Sequence, residues 1–410
     1  MRALALRSVA ASAVLAVAAG VLVAAPASAD EIRDREYWLS GYGITSAWKT
    51  TKGAGVTVAI IDTGVDGTHP DLTGQVSGGK DFSGVGSANG QKPIGEDGEH
   101  GTMVASLLAG HGHGAGAGVI GVAPEAKLLS ASVGFGTAAG SSDEQIADAV
   151  RWSVDSGADI INMSLTRNTL DWPTSWDDAF LYAMEHDVIV VAAAGNRGSG
   201  TTEVGAPATM PGVVVVAGVD RNGTASFDAS SQGITLTVSA PSEDLVGAAP
   251  GGGYYQWAGT SGAAPLVSGA LALIRAAHPE LSAGNVINRL TATARPAGDA
   301  IAYGSGLMNV AAAVNNPVPS VKTDPADELK EWIRLNRRAV ASPAPTPTAT
   351  ATPAPKKAAT APVSPFGSVL PSVGALRDTG IPLLVYGVFL VLLVLLLRGV
   401  LREVRRGRSK

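Results

Sequence analysis

Between about residues 50 and 316, two patterns of apolar residues alternate along the chain. Short continuous apolar runs rich in β-branched residues predict buried strands, and apolar residues at helical spacing predict helices with one apolar face. The predicted strands lie at residues 55–61, 126–133, 158–163, 188–192 and 213–216. The predicted helices lie at residues 142–156, 176–185 and 266–278. Because strands and helices alternate, the pattern predicts an α/β fold with a mainly parallel central sheet and helices on both faces.

Residues 1–29 have the pattern of a secretory signal peptide. Arg2 and Arg7 precede an apolar stretch at residues 9–25, and the sequence ASA at residues 27–29 matches the small-residue cleavage pattern. We predict cleavage at this point. The alternative is an uncleaved anchor, but the stretch is rich in Ala and only weakly hydrophobic.

A second apolar run, IPLLVYGVFLVLLVLLL, occupies residues 381–397 and contains no charge. Its length is close to the minimum for a transmembrane helix, although a buried core helix is the alternative. Residues 398–410 follow with six basic residues and one acidic residue, which favours a cytoplasmic tail by the positive-inside rule. We therefore predict a single-pass protein of the cell membrane whose globular body and catalytic domain are extracytoplasmic.

Two further segments separate these ends from the body. Residues 317–380 are predicted to be a spacer rich in Pro, Ala and Thr, because such a composition cannot bury a core. Residues 30–52 are too few to fold alone without Cys or metal. Their aromatic and apolar side chains predict an N-terminal extension packed on a catalytic domain at residues 53–316.

Composition narrows the function classes. Apolar residues make up 46% of the 410, which is enough for a large core and excludes a wholly disordered protein. The net charge of −5 argues against a nucleic-acid partner, because nucleic-acid binders are usually basic. The chain has no Cys, which excludes disulfides, thiolate catalysis and cysteine-based metal sites.

Four polar side chains stand at predicted strand ends or helix starts. Asp62 ends a strand in DTG, His100 opens an apolar helix in HGT, Asn196 follows a strand in AAGN, and Ser261 opens a helix in GTSGAAP. Each alone is more simply a turn or cap residue. Together they supply the nucleophile, base, orienting carboxylate and oxyanion donor that serine acyl transfer requires.

The strings IIDTGVDGTHPDL, HGTMVA, INMSL, VVAAAGN and GTSGAAP resemble those of subtilisin-like serine proteases over about residues 50–315. The order Asp, His, Ser along the chain is also the subtilisin order, which is a standard example of this arrangement. The resemblance implies a subtilisin-like fold and a serine endopeptidase. It assigns Asp62, His100 and Ser261 to the catalytic triad and Asn196 to the oxyanion hole.

The same resemblance assigns backbone contacts with a protein or peptide substrate to Ser132, Gly134, Ser164 and Leu165. Two positions depart from the family: Thr166 stands where many relatives have Gly beside the first specificity pocket, and Gly262 follows the nucleophile where a bulky residue is common. A glycine there would leave space beside Ser261.

The wider layout resembles the mycosins, which are membrane-anchored subtilisin-like proteases associated with type VII secretion in actinobacteria. The shared features are a secretion signal, a short N-terminal stretch, a Pro-rich spacer and a C-terminal anchor. The resemblance implies an association with the type VII secretion machinery at the cytoplasmic membrane. The alternative is a structural scaffold of a membrane secretion complex with secondary or silent protease activity.

Two clusters raise the question of a metal. The sequence GHGHG at residues 110–114 offers two His without a third ligand, which makes a poor zinc site. Glu96, Asp97 and Glu99 precede His100 and could bind Ca²⁺ or raise the pKa of His100, but they are more typical of a solvated loop. We predict no metal and no cofactor; a structural calcium ion has no specific motif to support it.

Overall fold

The computed structural model describes residues 31–135 and 141–337. The predicted signal peptide, the membrane-spanning segment at 381–397 and the tail at 398–410 lie outside the described residues. So does the predicted spacer beyond residue 337.

Within the described residues, seven strands form one parallel sheet in the order β2-β3-β1-β4-β5-β6-β7. The strands are β1 Thr57–Asp62, β2 Val76–Asp81, β3 Lys127–Ser132, β4 Ile160–Met163, β5 Ile189–Ala193, β6 Val214–Val219 and β7 Val238–Pro241. The predicted parallel α/β fold is confirmed, and each predicted strand is present within three residues of its expected ends. Sequence analysis missed β2, whose sequence VSGGKD has two glycines and no apolar run.

A two-stranded antiparallel hairpin follows the sheet. It consists of β8 Leu245–Ala249 and β9 Gly253–Trp257. Gly251 and Gly252 lie in the turn of this hairpin, and Gly253 is the first residue of β9.

Six helices of ten or more residues lie in the described part of the chain. Three of them carry names below: the histidine helix His100–Ala109, the serine helix Thr260–Ala277 and the C-terminal helix Pro325–Asn336. The others are Ser142–Asp155, Thr174–Glu185 and Ala283–Ala292. Short helical turns occupy Glu31–Asp34, Trp38–Gly41, Ile44–Ala47, Ala300–Tyr303 and Val310–Asn315, with a 3₁₀ turn at Arg197–Ser199.

The core lies on both faces of the sheet. Because side chains alternate along a strand, Val58 and Ile60 of β1 join the apolar cluster that contains the serine and histidine helices. Ala59 and Ile61 join the opposite cluster, with helices Ser142–Asp155 and Thr174–Glu185. Two buried faces explain why β1 is apolar at every position from Val58 to Ile61.

The serine helix is the central element of the first cluster. Among the described helices it alone is long and apolar enough to span a membrane, but 78% of it is buried inside the body. It packs against strands β1, β4, β5, β6 and β7 and against the histidine helix. The apolar character of this helix is therefore that of a core helix.

The N-terminal segment at residues 31–52 packs on the catalytic body. Trp38 and Ile44 are fully buried within the same apolar cluster as the serine helix. The Trp48 indole N–H donates to the carbonyl of Val122 at 2.8 Å. The segment is therefore part of the same hydrophobic core and has none of its own.

The C-terminal helix differs from the expectation of a spacer that begins at residue 317. Leu329 is fully buried in the second cluster, and the Trp332 ring lies 4.2 Å from that of Trp172. Five of the twelve residues of this helix are charged, so its amphipathic pattern resembles that of a polar linker. The ordered body therefore continues to residue 337.

We expect the N-terminal segment to stabilise the fold rather than to inhibit the site. Trp38→Ala removes a fully buried ring and should lower the free energy of unfolding by about 3–5 kcal/mol, measured by denaturant titration. Deletion of residues 31–48 should lower the melting temperature without raising activity.

The control is Leu335→Ala, whose side chain is exposed and whose effect should stay within about 0.5 kcal/mol. A deletion variant with an unchanged melting temperature and much higher activity would identify the segment as an inhibitory propeptide instead.

Candidate active site

The structure brings Asp62 and His100 together at the carboxyl edge of the sheet. Nδ1 of His100 lies 2.8 Å from Oδ1 and 3.0 Å from Oδ2 of Asp62. The main-chain N–H of Thr63 also donates to Oδ1 of Asp62, at 2.7 Å. These bonds hold the carboxylate in the orientation that bridges it to the imidazole, and they leave Nε2 of His100 for other chemistry.

Gly101 permits this approach of the histidine helix to the end of β1. A Cβ atom at residue 101 would lie only 2.3 Å from the carbonyl oxygen of Gly64, which is closer than any real contact. The N–H of Gly101 instead donates to the hydroxyl of Thr63 at 3.1 Å. The glycine of the HGT motif is therefore a packing requirement.

The pKa of His100 is raised above its ordinary value. Burial of the ring lowers the pKa, but the charge of Asp62 and its hydrogen bond raise it, and the charges of Asp97 and Glu99 raise it further. A raised pKa means that protonated His100 stabilises the fold at low pH. This contribution is lost as the pH rises through the raised pKa.

Ser261 lies in the first turn of the serine helix, at the same edge of the sheet. Its hydroxyl donates to the carbonyl of Ser164 at 3.1 Å, and the hydroxyl of Ser164 donates back to the carbonyl of Ser261 at 2.8 Å. Asn162 lies behind this pair, where its amide donates to the Ser164 hydroxyl and accepts a hydrogen bond from Ser268. A buried polar network thus fixes the start of the serine helix to the end of β4.

Asn196 is oriented by the residue before Ser261. Its Oδ1 accepts hydrogen bonds from the N–H and the hydroxyl of Thr260, at 2.8 and 3.0 Å. The Thr260 hydroxyl also accepts from the N–H of Gly195 at 3.0 Å. Because Oδ1 is engaged, Nδ2 is the atom of the Asn196 amide that can donate to a ligand. Sequence analysis missed the role of Thr260, which is fully buried and shows no pattern of its own.

The space beside Gly262 is filled. A Cβ atom at residue 262 would lie 2.2 Å from Cδ1 of Leu245 and 3.3 Å from the Trp257 ring. The expected gap beside Ser261 is therefore wrong, because the β8–β9 hairpin supplies the bulk that the glycine lacks. Trp257 also packs edge-on against the His100 ring, with centroids 5.7 Å apart.

A cleft of about 260 Å³ opens beside His100 and Asp62. Ser164 and Leu165 line it, as expected for residues that contact a substrate. Its other lining residues are Thr63, Asp97, Glu99, Met103 and Phe135. Sequence analysis treated the two acids as part of a solvated loop; the structure places them at the wall of the cleft.

The other two residues expected to contact substrate are engaged inside the protein. Ser132 is fully buried, and its hydroxyl donates to Asp81 at 2.7 Å. Gly134 is also buried, and its N–H donates to the side chain of Gln145 at 2.8 Å. The Ser132 hydroxyl and the Gly134 N–H are therefore engaged within the protein, and backbone contacts of these two residues with a substrate stay a prediction.

The remaining histidines of these motifs lie in the structural frame. His69 is buried, and its ring contacts the carbonyl of Gly253 and the N–H of Asp71. His113 contacts Asp71 at 2.6 Å, and His111 contacts main-chain carbonyls. Within residues 31–135 and 141–337, no group of three His, Asp or Glu side chains is arranged to hold a metal ion.

Comparison with known proteins matches residues 53–316, more than half of the chain, to the subtilase family of peptidases, S8. The chain belongs to the subtilase family. This subtilase is 39% identical to subtilisin E of Bacillus subtilis (strain 168) over 264 residues, which are 64% of this chain and 66% of that protein.

Solved structures of subtilases from type VII secretion are also similar. The MycP3 protease of the type VII (ESX-3) secretion system shares 32% identity over 69% of this chain and 88% of its own, with a TM-score of 0.60. MycP1 with the N-terminal propeptide removed shares 30% identity over 70% of this chain and 98% of its own, with a TM-score of 0.61. The resemblance to subtilisin-like proteases, mycosins among them, is thereby confirmed.

The raised pKa of His100 in this subtilase leads to a prediction about its neighbours. Asp97→Asn and Glu99→Gln should each lower the pKa of His100, because each removes a negative charge that favours the imidazolium. Asp62→Asn should lower it further, since it removes both a charge and the hydrogen bond. The measurement is NMR titration of the His100 ring protons.

The matched control is Glu96→Gln, which changes the same loop at an exposed residue outside the cleft and should leave the titration unchanged. A constant pKa in Asp97→Asn and Glu99→Gln would show that solvent screens both charges from the ring.

Proposed function

We propose that this subtilase is a serine endopeptidase that hydrolyses peptide bonds by acyl transfer. Ser261 is the nucleophile, His100 is the general base and then acid, and Asp62 orients the imidazole. The observation that carries the proposal is the bond of 2.8 Å between Asp62 and His100 at the edge where the serine helix begins. The family supports the same assignment, since its members include the subtilisins.

The first step requires a rotation of the nucleophile. The Ser261 hydroxyl donates to Ser164, so it turns toward Nε2 of His100 when a substrate carbonyl enters. His100 takes the proton as the Ser261 oxygen attacks, and Asp62 stabilises the imidazolium that forms. The same proton then passes to the leaving amine, and water repeats the sequence on the acyl enzyme.

The negative charge that develops on the substrate carbonyl oxygen must be stabilised by hydrogen-bond donors. Nδ2 of Asn196 is one candidate, because Thr260 orients its amide. The main-chain N–H of Ser261 is the second, since the first N–H groups of a helix have no intrahelical acceptor. The positive end of the serine helix dipole favours the same oxyanion.

The proposed cellular location rests on the apolar segment near the C-terminus and on the similar solved structures. We propose that residues 381–397 anchor the protein in the cytoplasmic membrane with the catalytic domain outside. MycP3 belongs to a type VII (ESX-3) secretion system, and its similarity supports an association of this subtilase with such machinery. A protein that passes through that machinery is then its substrate.

The nucleophile is tested by covalent labelling. Ser261→Ala should abolish labelling of the protein by a fluorophosphonate probe, because the probe reacts with an activated serine hydroxyl. Ser156→Ala is the control, since it removes an exposed hydroxyl outside the cleft and should leave labelling intact. Equal labelling of Ser261→Ala and the wild type would remove Ser261 from the proposed mechanism, and a wild type that does not label would favour a scaffold function.

The role of Asn196 as oxyanion donor is tested by measuring peptide hydrolysis. Asn196→Ala should fold normally and lower kcat by about 10²–10³-fold, the usual effect of losing one donor. An unchanged kcat would exclude Asn196 from the oxyanion hole.

The membrane topology is tested on whole cells. External protease added to intact spheroplasts should remove the globular body and leave a small C-terminal fragment with the cell, because residues 398–410 carry the cytoplasmic excess of positive charge. A tagged C-terminus reports the fragment. Protection of the body with loss of the tag would reverse the proposed orientation.

A further inference from the structure

Two carboxylates lie at the wall of the cleft beside His100. Asp97 is exposed and Glu99 is half-buried. Neither carboxylate forms an ion pair with a cationic side chain of the described residues. Both are close enough to His100 to raise its pKa. The wall therefore presents unneutralised negative charge directly next to the reacting groups.

Three apolar side chains, Met103, Phe135 and Leu165, line the same cleft. Met103 follows Glu99 by four residues, so the two side chains lie on the same side of the histidine helix. Leu165 and Phe135 also line the cleft, and Phe135 is 54% exposed. The cleft thus combines apolar side chains with the two acidic ones.

The volume fits one side chain. A cleft of about 260 Å³ is smaller than the pockets that bury a whole small-molecule ligand, and it can hold one long side chain. Lys and Arg have the matching shape, because their apolar stems lie along apolar surface while the charged head stays at the polar rim. A neutral side chain would cover the carboxylates and desolvate them without a partner.

We propose that this cleft selects a substrate with a Lys or Arg side chain close to the scissile bond. The proposal rests on the proposed function for the reaction itself, but not for the binding preference. Asp97 and Glu99 are the specificity-determining residues, with Met103, Phe135 and Leu165 as the surface under the stem. Acidic residues at the same substrate position are disfavoured by like charge.

The two acids also act on His100, and the test must separate the two effects. A change in the pKa of His100 alters cleavage of every substrate by the same factor. A binding preference instead alters the ratio between two substrates. The ratio of kcat/KM for paired peptides, measured well above the pKa of His100, therefore reports the cleft alone.

The experiment uses quenched fluorescent peptides that differ at one position, with Lys, norleucine or Glu at each position near the cleaved bond. Norleucine keeps the apolar stem without the charge. At one position the wild type should cleave the Lys peptide at least about tenfold better than the norleucine peptide, and the ratio should fall with added salt. Asp97→Asn combined with Glu99→Gln should bring the ratio close to one.

Two matched variants sharpen the result. Glu96→Gln removes a charge from the same loop outside the cleft and should keep the wild-type ratio. Asp97→Lys should reverse the preference toward the Glu peptide at the same position, which loss of structure would not produce. No positional preference in the wild type, or a preference that survives the double variant, would overturn the proposal.

Binding to the Ser261→Ala protein decides the preference without turnover. Competition between the Lys and norleucine peptides for this variant should give the same tenfold ratio, lost in the variant that also carries Asp97→Asn and Glu99→Gln. Preference in binding without any cleavage or probe labelling by the wild type would overturn the proposed function alone. Cleavage without preference would overturn the specificity alone.

Discussion

Burial of the serine helix is the constraint on which the rest of the structure depends. Thirteen consecutive residues of this helix, from Gly262 to Ile274, are buried between the sheet, the histidine helix and the β8–β9 hairpin. Each large apolar side chain that is buried contributes about 1.5–3 kcal/mol. A helix held in this way cannot slide or turn, so its first residue is fixed relative to the ends of β4 and β5. Ser261 is the second residue of this helix. Its position therefore follows from the packing of the whole helix in the core.

Hydrogen bonds at the start of the serine helix also fix its position. Thr260 joins Gly195 and Asn196, while Ser261 exchanges hydrogen bonds with Ser164. Thr260 and Ser164 are buried, and an unpaired buried polar group is costly, so these hydrogen bonds favour a single arrangement. The proposed nucleophile Ser261 and the proposed oxyanion donor Asn196 are consequently both held at the start of the serine helix.

The loop before the histidine helix connects electrostatics with recognition. Burial disfavours a charged imidazole, and Asp62 offsets that effect through a short hydrogen bond. Asp97 and Glu99 add negative potential from the cleft wall without direct contact with a cation. The same charges that favour the imidazolium thus face the space where a substrate side chain lies, and both roles follow from one stretch of four residues.

The sequence by itself determined the fold class and five of the seven strands of the described sheet. It also predicted that the candidate site contains Asp62, His100, Asn196 and Ser261. Continuous β-branched runs and polar residues at their ends are local signals, and parallel strands bring their ends to one edge. Only the tertiary structure showed which side chains pack around these residues. Leu245 occupies the position beside Gly262, and Ser132 is directed to Asp81 instead of the cleft.

The C-terminal helix and the acidic cleft wall show the same limit. Leu329 and Trp332 bury against residues far away in the chain, so a charged amphipathic stretch could not be told from a linker before the partner surface was known. Asp97 and Glu99 look like any solvated acids until Met103, Phe135 and Leu165 are placed opposite them. Local pattern determines which elements form, whereas contacts between residues distant in sequence determine what each surface faces.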